Sequence, residues 1–126
     1  MATPQRPVFL NLFKIRLPLP GVVSFAHRVS GALMFFGIPF VLYLFDLSLS
    51  GPEGFAQARS WAGSLWLTPV IVLLAWSLCY HLLAGIRYLL MDLDLGIDRK
   101  ASYLSAAWVA GLALLLSLWL LLEIYL

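Results

Sequence analysis

Three long apolar stretches alternate with short polar segments along the chain. Residues 29–45, 60–86 and 101–122 contain no Asp, Glu, Lys or Arg. A membrane-spanning helix needs about 20 apolar residues, because each residue adds about 1.5 Å of rise. The second and third stretches meet this length, and the first does so when it is extended to Leu49, with Asp46 near its outer end. The pattern predicts an all-α membrane protein with three transmembrane helices, at about 22–49, 65–91 and 102–125.

The segments outside these helices complete one membrane-anchor domain over residues 1–126. Residues 1–21 are rich in proline and basic side chains, which predicts a cytoplasmic arm rather than a continuous helix. The first connection, Ser50-Gly51-Pro52-Glu53, predicts a capping box that starts a short interfacial helix ending near Trp61. Ala106, Ala110, Ala113 and Ser117 recur at helical spacing in the third helix, which predicts a face for close helix packing.

Composition supports a membrane protein. The 126 residues are 63% hydrophobic and only 11% charged, whereas a soluble domain has about 25% charged residues. The mean hydropathy is +0.96. The start of the chain lacks the short apolar core and cleavage site of a signal peptide, so we expect the first helix to act as its own insertion signal.

The basic residues predict the orientation. They concentrate before or at the start of the first helix and around the second connection: Arg6, Lys14, Arg16, Arg28, Arg87, Arg99 and Lys100. The first connection holds only Arg59. Because basic residues favour the cytoplasmic side, the N-terminus is predicted to be cytoplasmic and the C-terminus periplasmic.

Two polar clusters lie at membrane depth, where ionisable residues cost about 2.5–3.5 kcal/mol each on insertion scales and usually mark function. The first is residues 24–31, containing Ser24, His27 and Arg28, and the second is residues 81–87. In the second helix, five residues fall within about 80° of one another at 100° per residue: Ser77, His81, Gly85, Tyr88 and Asp92.

His81 is the candidate for a deep site. It lies about 9 Å further into the membrane than Arg87, and Gly85 one turn away leaves space beside it for a flat macrocycle. Hydrogen bonding to a neighbouring helix, an ion pathway and metal ligation are the alternatives for such a histidine, and the adjacent glycine favours a cofactor. Arg87 points about 120° away from His81 and is expected to reach the cytoplasmic interface, the arm or an anionic group.

The first helix carries a second candidate site at the cytoplasmic level. Ser24, His27, Arg28 and Gly31 fall within about 100° of one another, whereas Ser30 points elsewhere. Ser24 and Arg28 are suited to hold a quinone carbonyl and to stabilise the negative charge that develops on reduction. His27 and Arg28 are equally suited to neutralise haem propionates, and a role as topology determinants is the remaining alternative.

These residues resemble a known family. Arg6-Pro7-Val8, then Ser24-x-x-His27-Arg28-x-Ser30-Gly31, then His81-x-x-x-Gly85-Ile86-Arg87 followed by Asp92 are similar in order to the succinate dehydrogenase cytochrome b556 family of membrane-anchor subunits. The likeness covers nearly the whole chain. One position departs from it, because Tyr88 stands where the family often has histidine, and a tyrosine does not replace an imidazole as a haem b ligand.

The resemblance implies one half of a heterodimeric haem-binding bundle in respiratory complex II of a bacterial inner membrane. His81 would be an axial ligand of the haem b iron, with the second axial histidine from a second small anchor subunit. His27, Arg28 and Gly85 would lie at the haem, and Ser24, Arg28 and Asp92 at the ubiquinone site. A flavoprotein and an iron–sulfur subunit would carry the dehydrogenase chemistry, since this chain has no Gly-rich dinucleotide loop or cysteine cluster.

Two further functions remain open on the sequence alone. One is a fumarate reductase anchor, and the other is a structural anchor without a cofactor, in which the polar side chains only join the helices. In each case membrane lipid surrounds the helices, and no nucleic-acid partner is expected.

Overall fold

A computed structural model describes residues 16–126, and within that part of the chain it contains four helices and no strand. They are α1 (Leu19–Leu49), α2 (Pro52–Ala62), α3 (Thr68–Asp92) and α4 (Arg99–Tyr125). Helices α1, α3 and α4 are long and apolar enough to cross a membrane. The predicted all-α membrane fold is therefore confirmed.

Helix α1 begins at Leu19, ahead of the predicted start at residue 22. Pro18 is its N-cap, and Pro20 lies in its first turn, where a proline removes no hydrogen bond because the first N–H groups have no partner within the helix. Most of the predicted arm, residues 1–15, lies outside the described residues.

The short helix α2 follows α1 through a glycine turn. Gly51 has a φ of 113°, which favours glycine, and it occupies the N-cap position of α2. The predicted capping box is wrong: α2 has no side-chain cap, and the Ser50 hydroxyl donates to the Leu47 carbonyl at 2.7 Å. Trp61 in α2 stacks on Tyr43 of α1, with ring centroids 5.9 Å apart. Helix α2 therefore packs on the C-terminal end of α1.

Helix α4 begins at Arg99, ahead of the predicted start at residue 102, because Asp98 caps it. The Asp98 carboxylate accepts from the backbone N–H groups of Lys100 and Ala101, both at 3.1 Å. Asp94 and Gly96 take positive φ values of 59° and 71° in the connection from α3, which turns the chain back across the membrane. Asp98, one of the acidic residues of this loop, therefore has a defined structural role as the cap of α4.

The core lies where α1, α3 and α4 meet, and it is made mostly of small residues. Ala84, Ala106 and Ala113 have no exposed surface, and Ser117 is also buried. The predicted packing face of α4 is confirmed, with Ala110 half-buried on it. Small side chains let the helix backbones approach closely, which is the main source of packing between membrane helices. Large apolar side chains such as Phe36 and Trp108 instead lie on the outside of the bundle, as expected for a surface in lipid.

Candidate functional site

The two histidines of the chain are brought together between α1 and α3. The rings of His27 and His81 stack at a centroid distance of 4.0 Å with an angle of 16° between their planes. They come from helices that run in opposite directions, so residues near the start of α1 lie beside residues near the end of α3. Both side chains are half-buried. The structure therefore joins the two polar clusters that the sequence shows 50 or so residues apart.

The Nδ1 atom of His81 is held by two oxygen atoms of α1. It lies 3.1 Å from the backbone carbonyl oxygen of His27 and 3.2 Å from the hydroxyl oxygen of Ser30. The Ser30 hydroxyl in turn donates to the same His27 carbonyl at 2.8 Å. A carbonyl oxygen only accepts hydrogen bonds, so His81 carries its proton on Nδ1. The lone pair is then on Nε2, which makes no hydrogen bond within residues 16–126.

Each histidine ring lies beside a glycine of the opposite helix, but only one of the two glycines is needed to make room for a ring. A methyl group added to Gly31 of α1 would lie 2.9 Å from Cε1 of His81, closer than carbon atoms approach without strain. A methyl group on Gly85 of α3 would lie 3.7 Å from Nε2 of His27, an ordinary contact. The His81 ring therefore requires a residue without a side chain at Gly31. Gly85 lies beside His27 rather than His81.

Arg87 is buried rather than extended to the interface. Only 5% of its surface is exposed, and its guanidinium group turns toward α4. Its Nε donates to the Ser105 hydroxyl at 2.9 Å, and one Nη donates to the carbonyl and hydroxyl oxygens of Ser102 at 3.1 and 3.0 Å. Within the described residues Arg87 therefore bonds to α4 and does not extend to the cytoplasmic interface as expected; most of the arm, the second expected partner, lies outside the described residues. Ser102 and Ser105 sit one turn apart at the start of α4 and offer the acceptors that a buried arginine needs.

Tyr88 connects Arg87 to the histidine pair. Its ring centroid lies 5.2 Å from the Arg87 guanidinium carbon and 5.2 Å from the centroid of the His27 ring. Cation–π attraction favours the first contact. A row of four side chains therefore runs from α4-bound Arg87 through Tyr88 and His27 to His81.

Three buried polar atoms in the region have no hydrogen-bond partner within the described part of the chain: Nε2 of His27, Oγ of Ser77 and Oη of Tyr88. Buried polar atoms are normally paired, and unpaired ones point to a water, an ion or a ligand beside them. Ser77 lies one turn before His81 in α3, but the oxygen atoms at Nδ1 of His81 belong to the His27 carbonyl and to Ser30 of α1. The unpaired His27 and Tyr88 atoms are therefore available to a further polar group.

The remaining predicted residues are arranged differently. Ser24 is half-buried, whereas Arg28 and Asp92 are exposed on the surface of this chain. His27 and Arg28 are adjacent in sequence but separate in space, since His27 packs on α3 and Arg28 faces away from the core. The structure therefore brings His27, His81 and Gly85 together and leaves Arg28 and Asp92 open to contacts outside this chain.

The contacts of Ser30 and Gly31 with His81 could not be predicted from the sequence. Ser30 was expected to point away from the cluster, yet it has no exposed surface and contacts His81. The available signal was its position one turn after His27, on a helix antiparallel to the one that carries His81. A projection of a single helix does not contain that information, because it depends on the facing helix.

The geometry agrees with the chemistry of a haem ligand. Histidines that bind a metal usually donate the other ring N–H to a carbonyl or carboxylate, which fixes the tautomer and the ring orientation. His81 does this through Nδ1 and keeps the Nε2 lone pair. Residues 16–126 contain no group of three or more His, Cys, Asp or Glu side chains suited to hold a free metal ion. An axial position on a haem iron requires only one imidazole from this chain, so the residues fit such a group.

The fold and site together define a class: multi-pass α-helical membrane proteins with a histidine site enclosed between spanning helices. The chain matches the family described as "Succinate dehydrogenase/Fumarate reductase transmembrane subunit" over residues 2–120. It belongs to that family, and the resemblance found in its motifs is confirmed.

Individual relatives support the assignment. The chain is 34% identical over 112 residues to the succinate dehydrogenase cytochrome b556 subunit of Paracoccus denitrificans, covering 85% of this chain and 83% of the relative. It is 32% identical over 90 residues to the subunit of the same name from Coxiella burnetii, covering 71% and 72%. It is 36% identical over 119 residues to the mitochondrial succinate dehydrogenase cytochrome b560 subunit of Mus musculus, covering 90% and 68%.

Proposed function

We propose that this chain is the membrane-anchor cytochrome b subunit of a succinate dehydrogenase, respiratory complex II. In this role it binds haem b and ubiquinone and helps to pass electrons from succinate oxidation to the quinone. The observation that carries the proposal is the bond from Nδ1 of His81 to the His27 carbonyl, at 3.1 Å. It leaves on Nε2 the lone pair that an iron ligand needs.

His81 would be one axial ligand of the haem, which when bound supplies a one-electron redox centre. The other histidine of the chain, His27, packs face to face with His81 at 4.0 Å between ring centroids, so the two rings leave no room for a haem between them and cannot bind opposite faces of one iron. The second ligand would therefore come from a second small anchor subunit, and the haem would be shared between the two. His27, Arg28 and Gly85 would lie around it, and the unpaired Nε2 of His27 would donate to an anionic group at its edge when it carries the ring proton.

The quinone site would be formed by Ser24, Arg28 and Asp92 at the cytoplasmic side of the membrane. A hydroxyl and a guanidinium group can orient the quinone carbonyl oxygens and stabilise negative charge on them during reduction. The exposure of Arg28 supports this role, because its guanidinium group makes no hydrogen bond to the helices within residues 16–126. Asp92 at the end of α3 is an acid at the same membrane level, suited to hand protons from the cytoplasm.

The remaining subunits follow from the chemistry. Succinate oxidation requires a flavoprotein, and transfer to the membrane requires an iron–sulfur subunit, neither of which this chain resembles. The basic residues favour a cytoplasmic N-terminus and a periplasmic C-terminus in a bacterial inner membrane. The family also contains fumarate reductase subunits, so the reverse direction of electron transfer is the second candidate. Direction depends on the quinone and on the soluble subunits.

The test is the absorption and EPR spectrum of the purified complex with His81→Ala, with His27→Ala as the matched control. Wild type should show a low-spin bis-imidazole haem. His81→Ala should lose or alter this signal, whereas His27→Ala should keep the low-spin ligation. Subunit content is measured in the same samples to separate ligation from assembly. A wild-type complex without haem would support the cofactor-free structural anchor instead, and an unchanged low-spin signal in His81→Ala would show that His81 is not the ligand.

A further inference from the structure

We propose that Ser30 is a positioning residue that sets the donor strength of His81 and thereby lowers the reduction potential of the haem. The inference rests on the proposed function of His81 as an axial ligand. It concerns a residue of this chain that does not itself touch the iron.

The first evidence is where Ser30 lies. It is one of the few polar residues in the bundle with no exposed surface. A serine hydroxyl in a helix can satisfy itself by bonding to a carbonyl of the preceding turn, and Ser30 does so toward His27 at 2.8 Å. That bond explains how the Ser30 hydroxyl can be buried. It does not explain the second contact, in which the Ser30 hydroxyl oxygen lies 3.2 Å from Nδ1 of His81.

The second evidence is the closed triangle of hydrogen bonds. Ser30 donates its only proton to the His27 carbonyl, so its oxygen is left as an acceptor. The Nδ1–H of His81 is then shared between two acceptors, the carbonyl at 3.1 Å and the hydroxyl at 3.2 Å. Donation by the hydroxyl polarises it and makes its oxygen a better acceptor for the ring N–H.

The consequence is a change in the ligand. Acceptors on the N–H of a metal-bound imidazole raise the basicity of the other nitrogen. A more basic ligand favours the ferric over the ferrous state, and hydrogen bonding of this kind is one of the means by which a protein sets a haem potential. Ser30 therefore stabilises the oxidised form and holds the ring against rotation.

Ser117 provides the matched control. It is also a buried serine in a spanning helix, and it donates to the Ala113 carbonyl one turn earlier. Within the described residues it makes no contact with a histidine. Ser117→Ala thus removes a buried serine hydroxyl from a spanning helix without changing the histidine site. Ser30→Thr, in contrast, keeps a hydroxyl at the site.

The experiment is spectroelectrochemical titration of the haem in the assembled complex carrying Ser30→Ala, Ser30→Thr or Ser117→Ala, with haem and subunit content measured in parallel. Ser30→Ala should raise the midpoint potential, with a change of roughly threefold to tenfold in the ferric–ferrous equilibrium, where tenfold corresponds to about 59 mV for one electron. Ser117→Ala should match wild type, and Ser30→Thr should lie nearer to wild type than Ser30→Ala does.

The outcomes separate the inference from the proposed function. Haem loss in Ser30→Ala that Ser30→Thr restores supports the role of the hydroxyl, and equal haem loss in both overturns it. An unchanged or lower potential in Ser30→Ala, or an equal shift in Ser117→Ala, also overturns it while leaving His81 as ligand. A complex in which the haem signal is indifferent to His81→Ala removes the proposed function and the inference together.

Discussion

Replacing Gly31 with alanine tests the contact between α1 and the His81 ring most directly. The new methyl group would lie 2.9 Å from Cε1 and 3.3 Å from Nδ1 of His81. Something must move, and the ring is the movable part because the backbones of α1 and α3 are packed on each other. A ring that moves away from Gly31 also moves away from the His27 carbonyl and from Ser30, which lie on the same helix.

The size of the effect follows from those two contacts. Each hydrogen bond contributes about 0.5–1.5 kcal/mol net, so losing both costs about 1–3 kcal/mol. The exchange of glycine for alanine within a helix itself stabilises by about 1 kcal/mol. Gly111 isolates that second effect, because a methyl group there meets nothing within 4 Å. Gly31→Ala should therefore be about 1–3 kcal/mol less stable than Gly111→Ala, and about 0–2 kcal/mol less stable than wild type.

The assay is thermal unfolding of the purified complex, monitored by the release of this subunit. The haem spectrum is recorded on the same samples. Gly31→Ala should broaden or shift the low-spin signal, since its ligand ring is reoriented, and Gly111→Ala should leave it unchanged. Gly85→Ala should fall between the two, because its methyl group makes only an ordinary contact with His27 at 3.7 Å. Equal stability of the Gly31 and Gly111 variants with identical spectra would refute the packing of His81 against α1.

Three further results are expected. Arg87→Ala should loosen α4 from α3 and lower the free energy of unfolding by several kcal/mol, because three hydrogen bonds from a buried charged group are lost and each contributes about 1.5–3 kcal/mol; an unfolding temperature equal to that of wild type would contradict this. Ser24→Ala or Arg28→Ala should slow quinone reduction by up to about 10²–10³-fold while succinate oxidation by a soluble acceptor stays nearly normal, and unimpaired quinone turnover in both would remove the site assignment. Reporter fusions at Gln57 and Leu126 should read periplasmic and one at Arg99 cytoplasmic, and the reverse pattern would place the quinone site on the wrong face.

The sequence by itself determined the class of fold. Apolar runs long enough to cross a bilayer leave few alternatives to helices, since a spanning helix satisfies its own backbone hydrogen bonds. The small residues on one face of α4 correctly indicated which side packs inward, because that information repeats within a single helix. His27 and His81 could also be recognised from the sequence as candidate site residues, because they are polar residues at a depth from which lipid should exclude them.

Helix ends were less accessible to this reasoning. The start of α4 depends on Asp98, whose carboxylate caps the helix only in one loop conformation. The start of α2 depends on the positive φ of Gly51 rather than on the Ser50 side chain. Local sequence allows several such arrangements, and the packing of the flanking helices selects one of them.

Only the tertiary structure decided how the polar residues are paired. Arg87 looked like an interfacial residue because a projection of α3 shows which way it points but not that α4 offers Ser102 and Ser105 there. Ser30 was expected to point away from the cluster, and its contact with His81 exists because α1 and α3 approach closely at Gly31. Contacts between helices depend on their separation, register and rotation, which are set by the sum of all packing contacts and not by any one segment of the chain.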